Sequence, residues 1–214
     1  MKLATWNVNS LTVRLPQVLD WLAAHQPEVL VLQETKLTDD KFPHADLLAA
    51  GWHSQWFGQK TYNGVALLSR QPATDVLKNI PGFDDPQARV IAATVAGMRV
   101  VGAYFPNGQA PGSDKFAYKM DWLTALAGWL RDELAQHPQL VLMGDYNIAP
   151  EDRCVRSGGL GRPDPLHRRR ARPFQRLGRA GPGRRVSAVR SGTTHLELVG
   201  LPQLSVPQKP GPAH

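Results

Sequence analysis

Oxygen-bearing side chains stand at the ends of three apolar runs in this 214-residue chain. Asn7 closes Thr5-Trp6-Asn7-Val8-Asn9, Glu34 follows Leu32-Gln33 and precedes Thr35-Lys36, and Asp145 and Asn147 follow Leu140-Val141-Leu142-Met143-Gly144. In a layered sheet, strands of similar length release their terminal polar residues at one rim, so these groups would meet there. Amide and carboxylate oxygens suit a hard cation such as Mg²⁺, which takes few carboxylates and keeps its waters. The two-residue spacing places Asp145 and Asn147 on the same side of an extended segment. Singly, each residue has an ordinary use. Asn or Glu at a strand end is commonly a cap, Asp-x-Asn favours turns, Tyr104 fits a core aromatic, and Arg89 and Lys119 fit solvated or paired charges.

The elements that must position these groups read as alternating strands and helices. Residues 3–9 and 29–33 are short apolar runs that end in polar residues, as buried strands delivering a site would. Leu11, Leu15, Val18, Leu19 and Leu22 recur at helical spacing, with Pro27 beyond that helix. Residues 64–69, 90–95 and 100–105 are β-rich, and Gly97 supplies a turn between the last two. Residues 116–134 carry a second amphipathic helical pattern, and 140–144 is a further apolar strand. Central strands shielded by helices follow, an α/β or α+β layered domain.

Composition divides the chain at Arg153. Residues 1–153 hold 13 Lys+Arg and 16 Asp+Glu, a net of −3, whereas residues 154–214 hold 12 and 2, a net of +10, so the basic character of the chain comes from the tail. That tail carries 8 Pro and 9 Gly in 61 positions, a share that points to disorder by composition. Arg168-Arg169-Arg170 and Arg184-Arg185 are its basic clusters, and one reading makes it an extension that touches nucleic acid. A single cysteine, Cys154, excludes an internal disulfide and a Cys-rich zinc site, and suits a reducing cytoplasm. No run of eighteen apolar residues and no signal-peptide pattern is present, so membrane insertion and secretion are not expected.

Taken together, L-A-T-W-N-V-N-S, L-Q-E-T-K, Y-N-G-V-A-L-L-S-R, A-R-V-I, Y-F-P-N-G and L-M-G-D-Y-N-I-A-P-E-D-R resemble the exodeoxyribonuclease III (AP endonuclease) branch of the endonuclease/exonuclease/phosphatase superfamily. The resemblance runs from Met1 to Arg153. It implies an α+β, four-layer α/β sandwich of two packed sheets flanked by helices, here with only the first half intact. It implies a monomeric enzyme that uses Mg²⁺, or Mn²⁺, on double-stranded DNA with abasic sites or blocked 3′ ends. The implied activities are 3′→5′ exonuclease, endonuclease 5′ to abasic sites and 3′-phosphatase. By the same resemblance, Glu34 and Asn7 form the metal site, with Asp145 and Asn147 in the same donor set. Asp145 orients or deprotonates the attacking water, Asn147 steadies the transition-state phosphate, and Tyr104 lies against it. Arg89, Asn107 and Lys119 are the implied contacts to the DNA strand.

The tail departs from that family. No Ser-Asp-His motif occurs in it, and His195 and His214 lie in no matching context. Read one nucleotide later, residues 195–202 permit Thr-Trp-Ser-Trp-Trp-Asp-Tyr-Arg, and residues 207–214, followed by a TGA stop, permit Arg-Lys-Asn-Gln-Gly-Leu-Arg-Ile-Asp. Both strings resemble the family's C-terminal motifs, in the family's order, so a shifted reading frame is the expected origin of residues 154–214. The sequence therefore reads as the N-terminal part of the enzyme domain over 1–153, followed by an out-of-frame, disordered tail. With the second sheet scrambled, the first would expose its apolar face and the product would be poorly soluble and inactive. A catalytically dead binder acting through the arginine tail, or an enzyme redirected to RNA or a phosphate monoester, are the competing classes.

Overall fold

The computed structural model describes residues 1–147 and the backbone of residues 187–190. Two sheets form. The first has strand order β1-β2-β4-β3, with β1 Leu3–Asn7, β2 Val29–Gln33, β3 His53–Phe57 and β4 Val65–Ser69. The second has order β5-β6-β7-β8-β9, with β5 Thr74–Lys78, β6 Val90–Val95, β7 Met98–Tyr104, β8 Leu140–Asp145 and β9 Ser187–Arg190. Each sheet mixes parallel and antiparallel pairs: β1 with β2 and β7 with β8 are parallel, and β2 with β4 and β6 with β7 antiparallel.

Strand alternation sorts these sequences into two faces. Leu3, Val29, Val31, Val65 and Leu67 of the first sheet interlock with Ile91, Ala93, Val95, Val100, Val141 and Met143 of the second. Their neighbours point the other way. Ala4, Leu30, Leu32, Ala66 and Leu68 meet helix α1 (Leu11–His25) through Leu11, Val18 and Leu22, and helix α2 (His44–Ala49) through Leu47. Val90, Ala92, Val101, Ala103 and Leu142 meet helix α3 (Asp114–Gln136) through Trp122, Leu126 and Leu130. Strands buried on both faces carry continuous apolar runs, because neither face is left for polar residues. The result is the helix–sheet–sheet–helix sandwich expected from the sequence.

Local signals set the element ends. Ser113 accepts a hydrogen bond from the Phe116 N–H and caps α3, with Asp114 in the first turn where the helix dipole favours a carboxylate. Ala96 and Gly97, at φ 49° and 79°, form the two-residue turn between β6 and β7, and Val95 pairs with Met98 across it. The patterns that gave α1, α3 and the central strands hold within a residue or two. Strands β3 and β5 and helix α2 carried no readable pattern. They lie at sheet edges or on the surface, and Thr74–Lys78 is almost wholly exposed.

Two expectations are corrected. The first sheet does not bare its apolar face, because residues 74–145 supply four of the second sheet's five strands and those cover it. Within the tail, the strand Ser187–Arg190 pairs in parallel with β8, where no element was expected. Main-chain hydrogen bonds at an open strand edge accept a strand with little regard to its side chains. The remainder of the tail, with His195 and His214, lies outside the described residues. Among the described residues no helix is long and apolar enough to cross a membrane.

The two sheets pack closely at Gly102 on β7. A Cβ there would stand 2.6 Å from Val31 Cγ1 of the opposite sheet and 3.4 Å from Ile91 Cγ2 of the neighbouring strand β6. Overpacking of this kind costs about 1–3 kcal/mol. Gly102→Ala should therefore lower the urea midpoint by that order, and Val31→Ala in the same chain should recover part of the loss. An unchanged midpoint for Gly102→Ala would contradict the tight inter-sheet contact.

Candidate active site

The parallel pairs β1–β2 and β7–β8 end at one rim of the sandwich. Asn7 lies in register with Gln33, so Glu34 emerges beside it, and Tyr104 lies in register with Asp145. Because the sheets pack face to face, these ends meet. Asn7 Nδ2 donates to Glu34 Oε1 at 2.8 Å and to Asp145 Oδ2 at 2.9 Å. The Tyr104 hydroxyl donates to Glu34 Oε1 at 2.9 Å. Two hydrogen bonds thus cross from one sheet to the other, Asn7 to Asp145 and Tyr104 to Glu34. Beneath them, the buried Gln33 Nε2 donates to Thr5 Oγ1 at 2.8 Å and ties β2 to β1.

The backbone around Glu34 is held in an unusual shape. Glu34 and Lys36 adopt φ of 54° and 55°, and Asn9 and Ser10 adopt 45° and 99°, in the left-handed region that non-glycine residues seldom occupy. Hydrogen bonds hold it there: Ser10 N–H to the Glu34 carbonyl, Leu11 N–H to that of Thr35, Thr35 N–H to Gly64 and Lys36 N–H to Asn63. Gly64 itself, at φ 86°, leaves no room for a side chain, since a Cβ would fall 2.1 Å from Thr35 Oγ1. The turn aims Glu34 into the site and brings Lys36 Nζ 3.0 Å from Glu34 Oε2. Lys36 Nζ also donates to Asn9 Oδ1.

Sequence expectations meet this geometry unevenly. Asn7, Glu34, Tyr104 and Asp145 are brought together. Asn7 presents its amide nitrogen to both carboxylates, while its Oδ1 accepts from the Asn9 N–H at 3.1 Å. Its placement suits a group that orients the carboxylates, rather than the oxygen ligand expected. Asn147 is adjacent but not on an extension of the strand: β8 ends at Asp145, and Asn147 turns to φ 45°. Its N–H donates to Asp145 Oδ1 at 3.1 Å, and its Nδ2 to the Phe105 carbonyl at 2.9 Å.

The three expected strand contacts separate in role. Asn107 is exposed on the loop after β7. Arg89 is part-buried, with Nη1 on the Tyr104 carbonyl at 3.2 Å and its guanidinium 5.1 Å from the Tyr104 ring centroid. Lys119 is fully buried, and its ammonium donates to the carbonyl of Asn147 at 2.8 Å and that of Asn107 at 3.4 Å. A buried ammonium on loop carbonyls positions those loops, which corrects its reading as a surface contact. Sequence reasoning passed over Asn9 and Lys36. The signal was the repeated two-residue step, Asn7 to Asn9 and Glu34 to Lys36, which returns a side chain to the same side of a strand end.

The local electrostatics follow from these contacts. Burial pushes the Glu34 carboxyl up, but hydrogen bonds from Asn7, Lys36 and Tyr104 and the Lys36 charge outweigh it, leaving it below the usual glutamate range. Burial, the hydrogen bond to Glu34 and the carboxylate charges push the Tyr104 phenol far above its ordinary value, with Arg89 opposing. Tyr104 therefore remains a hydrogen-bond donor at neutral pH. For a hard cation the donor chemistry fits: the rim gathers oxygens of Glu34, Asp145 and Asn9. Among the described residues there is no group of three His, Cys, Asp or Glu that could hold a metal.

Comparisons with known proteins show the family and the fold of this chain. A model of the Endonuclease/Exonuclease/phosphatase family matches residues 4–194. The chain is 33% identical over 158 residues to exodeoxyribonuclease III of Haemophilus influenzae, across 71% of this chain and 59% of that protein. A 3′ phosphatase from Neisseria, NExo, bound to a product DNA hairpin, is 57% identical, with a TM-score of 0.70 over 71% of this chain and 60% of that one. An AP endonuclease from Archaeoglobus fulgidus superposes with a TM-score of 0.75 at 35% identity, over 83% and 71% of the two chains. The chain thus spans about three fifths of the length of the first two.

Ionised Glu34 stabilises the fold fully above the ordinary glutamate range, and that contribution is lost as pH falls through its lowered folded value. Tyr104→Phe removes one of the donors that lower it. Carboxyl-carbon NMR titration should then place the Glu34 midpoint closer to the ordinary range than in the parent chain. A midpoint that does not move would count against the Tyr104–Glu34 bond.

Proposed function

Because the chain belongs to the endonuclease/exonuclease/phosphatase family, we propose that its rim site is that of a DNA-repair hydrolase of the exodeoxyribonuclease III type. The reaction is attack of water on DNA phosphorus, releasing a nucleotide from a 3′ end, a phosphate from a blocked 3′ end, or a nick 5′ to an abasic site. One observation carries this reading: Asn7, Glu34, Tyr104 and Asp145, drawn from two sheets, form a single hydrogen-bonded cluster.

A phosphodiester is already negative, and its transition state gathers more charge on oxygen, so preorganised donors supply most of the catalysis. Asp145 is fixed at both oxygens, Oδ2 by Asn7 and Oδ1 by the Asn147 N–H, which sets its plane for holding and deprotonating a water. Tyr104 keeps its proton and, by exchanging Glu34 for a phosphate oxygen, donates to the reacting group. Arg89 steadies Tyr104 through its carbonyl and ring, and Lys119 steadies the Asn107 and Asn147 loops. Glu34, with oxygens of Asn9 and Asp145, would hold Mg²⁺, or Mn²⁺ in its place. A bound ion supplies Lewis-acid polarisation of a nonbridging oxygen and stabilisation of the leaving 3′ oxygen. The substrate is duplex DNA, bound largely through its phosphates, so affinity falls as salt rises.

The reading also covers the tail. Residues 154–214 contain no Ser-Asp-His motif, the element expected to move a proton at the phosphate. Removing members of a catalytic unit is grossly non-additive, so the 214-residue chain should have lost nearly all rate. We attribute this to a shift of frame near Arg153.

The test compares two proteins on an abasic duplex with Mg²⁺: the 214-residue chain, and one translated from a gene with a single-base correction between the codons for Arg153 and Arg156. The corrected protein should nick the duplex, and Asp145→Asn in it should lower kcat by about a thousandfold or more. The 214-residue chain should give no cleavage above background. Nicking by that chain would refute the loss of rate. A corrected protein that spares DNA but cleaves RNA or a small phosphate monoester would refute the substrate.

A further inference from the structure

The oxygens nearest the rim are not vacant of positive charge. Of the two Glu34 oxygens, Oε1 accepts from Asn7 and Tyr104, and Oε2 lies 3.0 Å from Lys36 Nζ. The same ammonium donates to Asn9 Oδ1. One tethered cation therefore joins a carboxylate oxygen to an amide oxygen, the pair of hard donors that a divalent ion would use. We propose that Lys36 is a built-in competitor for the cation site, which must withdraw its ammonium from Glu34 and Asn9 before Mg²⁺ can take those oxygens. The inference rests on the reading of this rim as a cation site.

Three features make this more than a surface ion pair. Lys36 does not reach the site from a mobile stem alone: its backbone sits at φ 55° and donates to the Asn63 carbonyl, within the turn that also fixes Glu34 at φ 54°. Both partners are shielded, with side-chain exposures of 26% for Lys36 and 19% for Glu34, so water and salt screen the pair less than an open one. Finally, the competition is intramolecular. A tethered ammonium is present at a high effective concentration whatever the solution holds, so a free ion must displace it at every binding event. Two like charges cannot share Glu34 Oε2 and Asn9 Oδ1 at contact distance. The gain from placing Mg²⁺ there is reduced by the pair it breaks.

The consequence is a site tuned to weak cation affinity. Lys36 stabilises the turn while the ion is away and raises the Mg²⁺ concentration needed for occupancy. Any anion that draws the ammonium off Glu34 favours the ion, and by linkage the ion favours that anion by the same factor.

Calorimetric titration of the full chain with Mg²⁺, and electron paramagnetic resonance with Mn²⁺, read this without any activity assay. Lys36→Met should bind either ion about tenfold more tightly than the parent, the scale of removing one competing charge of this exposure. Lys36→Arg, which keeps the charge, should stay near the parent. Should Lys36→Met not fold, Lys36→Gln is read in its place. Equal or weaker binding by the uncharged variant overturns the proposal, and so does binding by neither. Glu34→Gln separates the two levels. Binding that it abolishes, together with no gain in Lys36→Met, leaves the cation site standing and removes only the competitor. Binding that survives Glu34→Gln unchanged removes the site and the competitor together.

Discussion

The contact between the two sheets governs everything else in this molecule. Apolar side chains of β1, β2 and β4 interlock with those of β6, β7 and β8, and Gly102 lets β7 approach Val31 of β2. That layer contributes the apolar burial common to both halves. It also fixes where strand ends fall. Asn7 and Glu34 belong to one sheet, Tyr104 and Asp145 to the other, and none of the four could reach its partners across the rim if the sheets slid by one residue. The burial that drives folding and the alignment that builds the site are one event.

At the rim, the fold faces a different problem. Two carboxylates, Glu34 and Asp145, are drawn close in a partly shielded place, where unrelieved like charges would oppose folding. Relief comes from donors rather than from distance. Asn7 bridges both carboxylates through one amide nitrogen, Tyr104 adds its hydroxyl, and Lys36 adds a full charge. Strained backbone at Asn9, Ser10, Glu34 and Lys36 is the local cost, and hydrogen bonds with Asn63 and Gly64 before β4 and with Leu11 of α1 hold it. Left-handed backbone also occurs at turns elsewhere, such as Gln26, Asn79 and Ala96, but only at the rim does it aim charged side chains at one another.

The outer shells divide between support and reach. Lys119 lies beneath the loops that carry Asn107 and Asn147, and Arg89 lies along Tyr104. Such basic residues are easily assigned to a nucleic-acid surface from sequence, since Lys and Arg near a nuclease motif invite that role. Burial decides otherwise for Lys119. The family match over residues 4–194 and the two sheets agree on the scaffold, and β9 shows that β8 retains an edge able to take up a strand from the tail.

The sequence by itself determined the elements and the chemistry they could carry. Apolar runs at 29–33, 90–95 and 140–144, the helical spacing of Leu11, Val18 and Leu22, and the polar residues closing three strands were all legible, because local periodicity reports which side of an element is buried. Only the tertiary structure decided how the strands divide between two sheets, and hence that residues 74–145 cover the face expected to be bare. It alone turned Asn147 aside at φ 45°, pointed the Asn7 nitrogen at the carboxylates, set Lys36 on Glu34 and buried Lys119. Those outcomes depend on contacts between residues distant in the chain, up to 138 positions apart for Asn7 and Asp145, and no local pattern encodes which distant partner a side chain will meet.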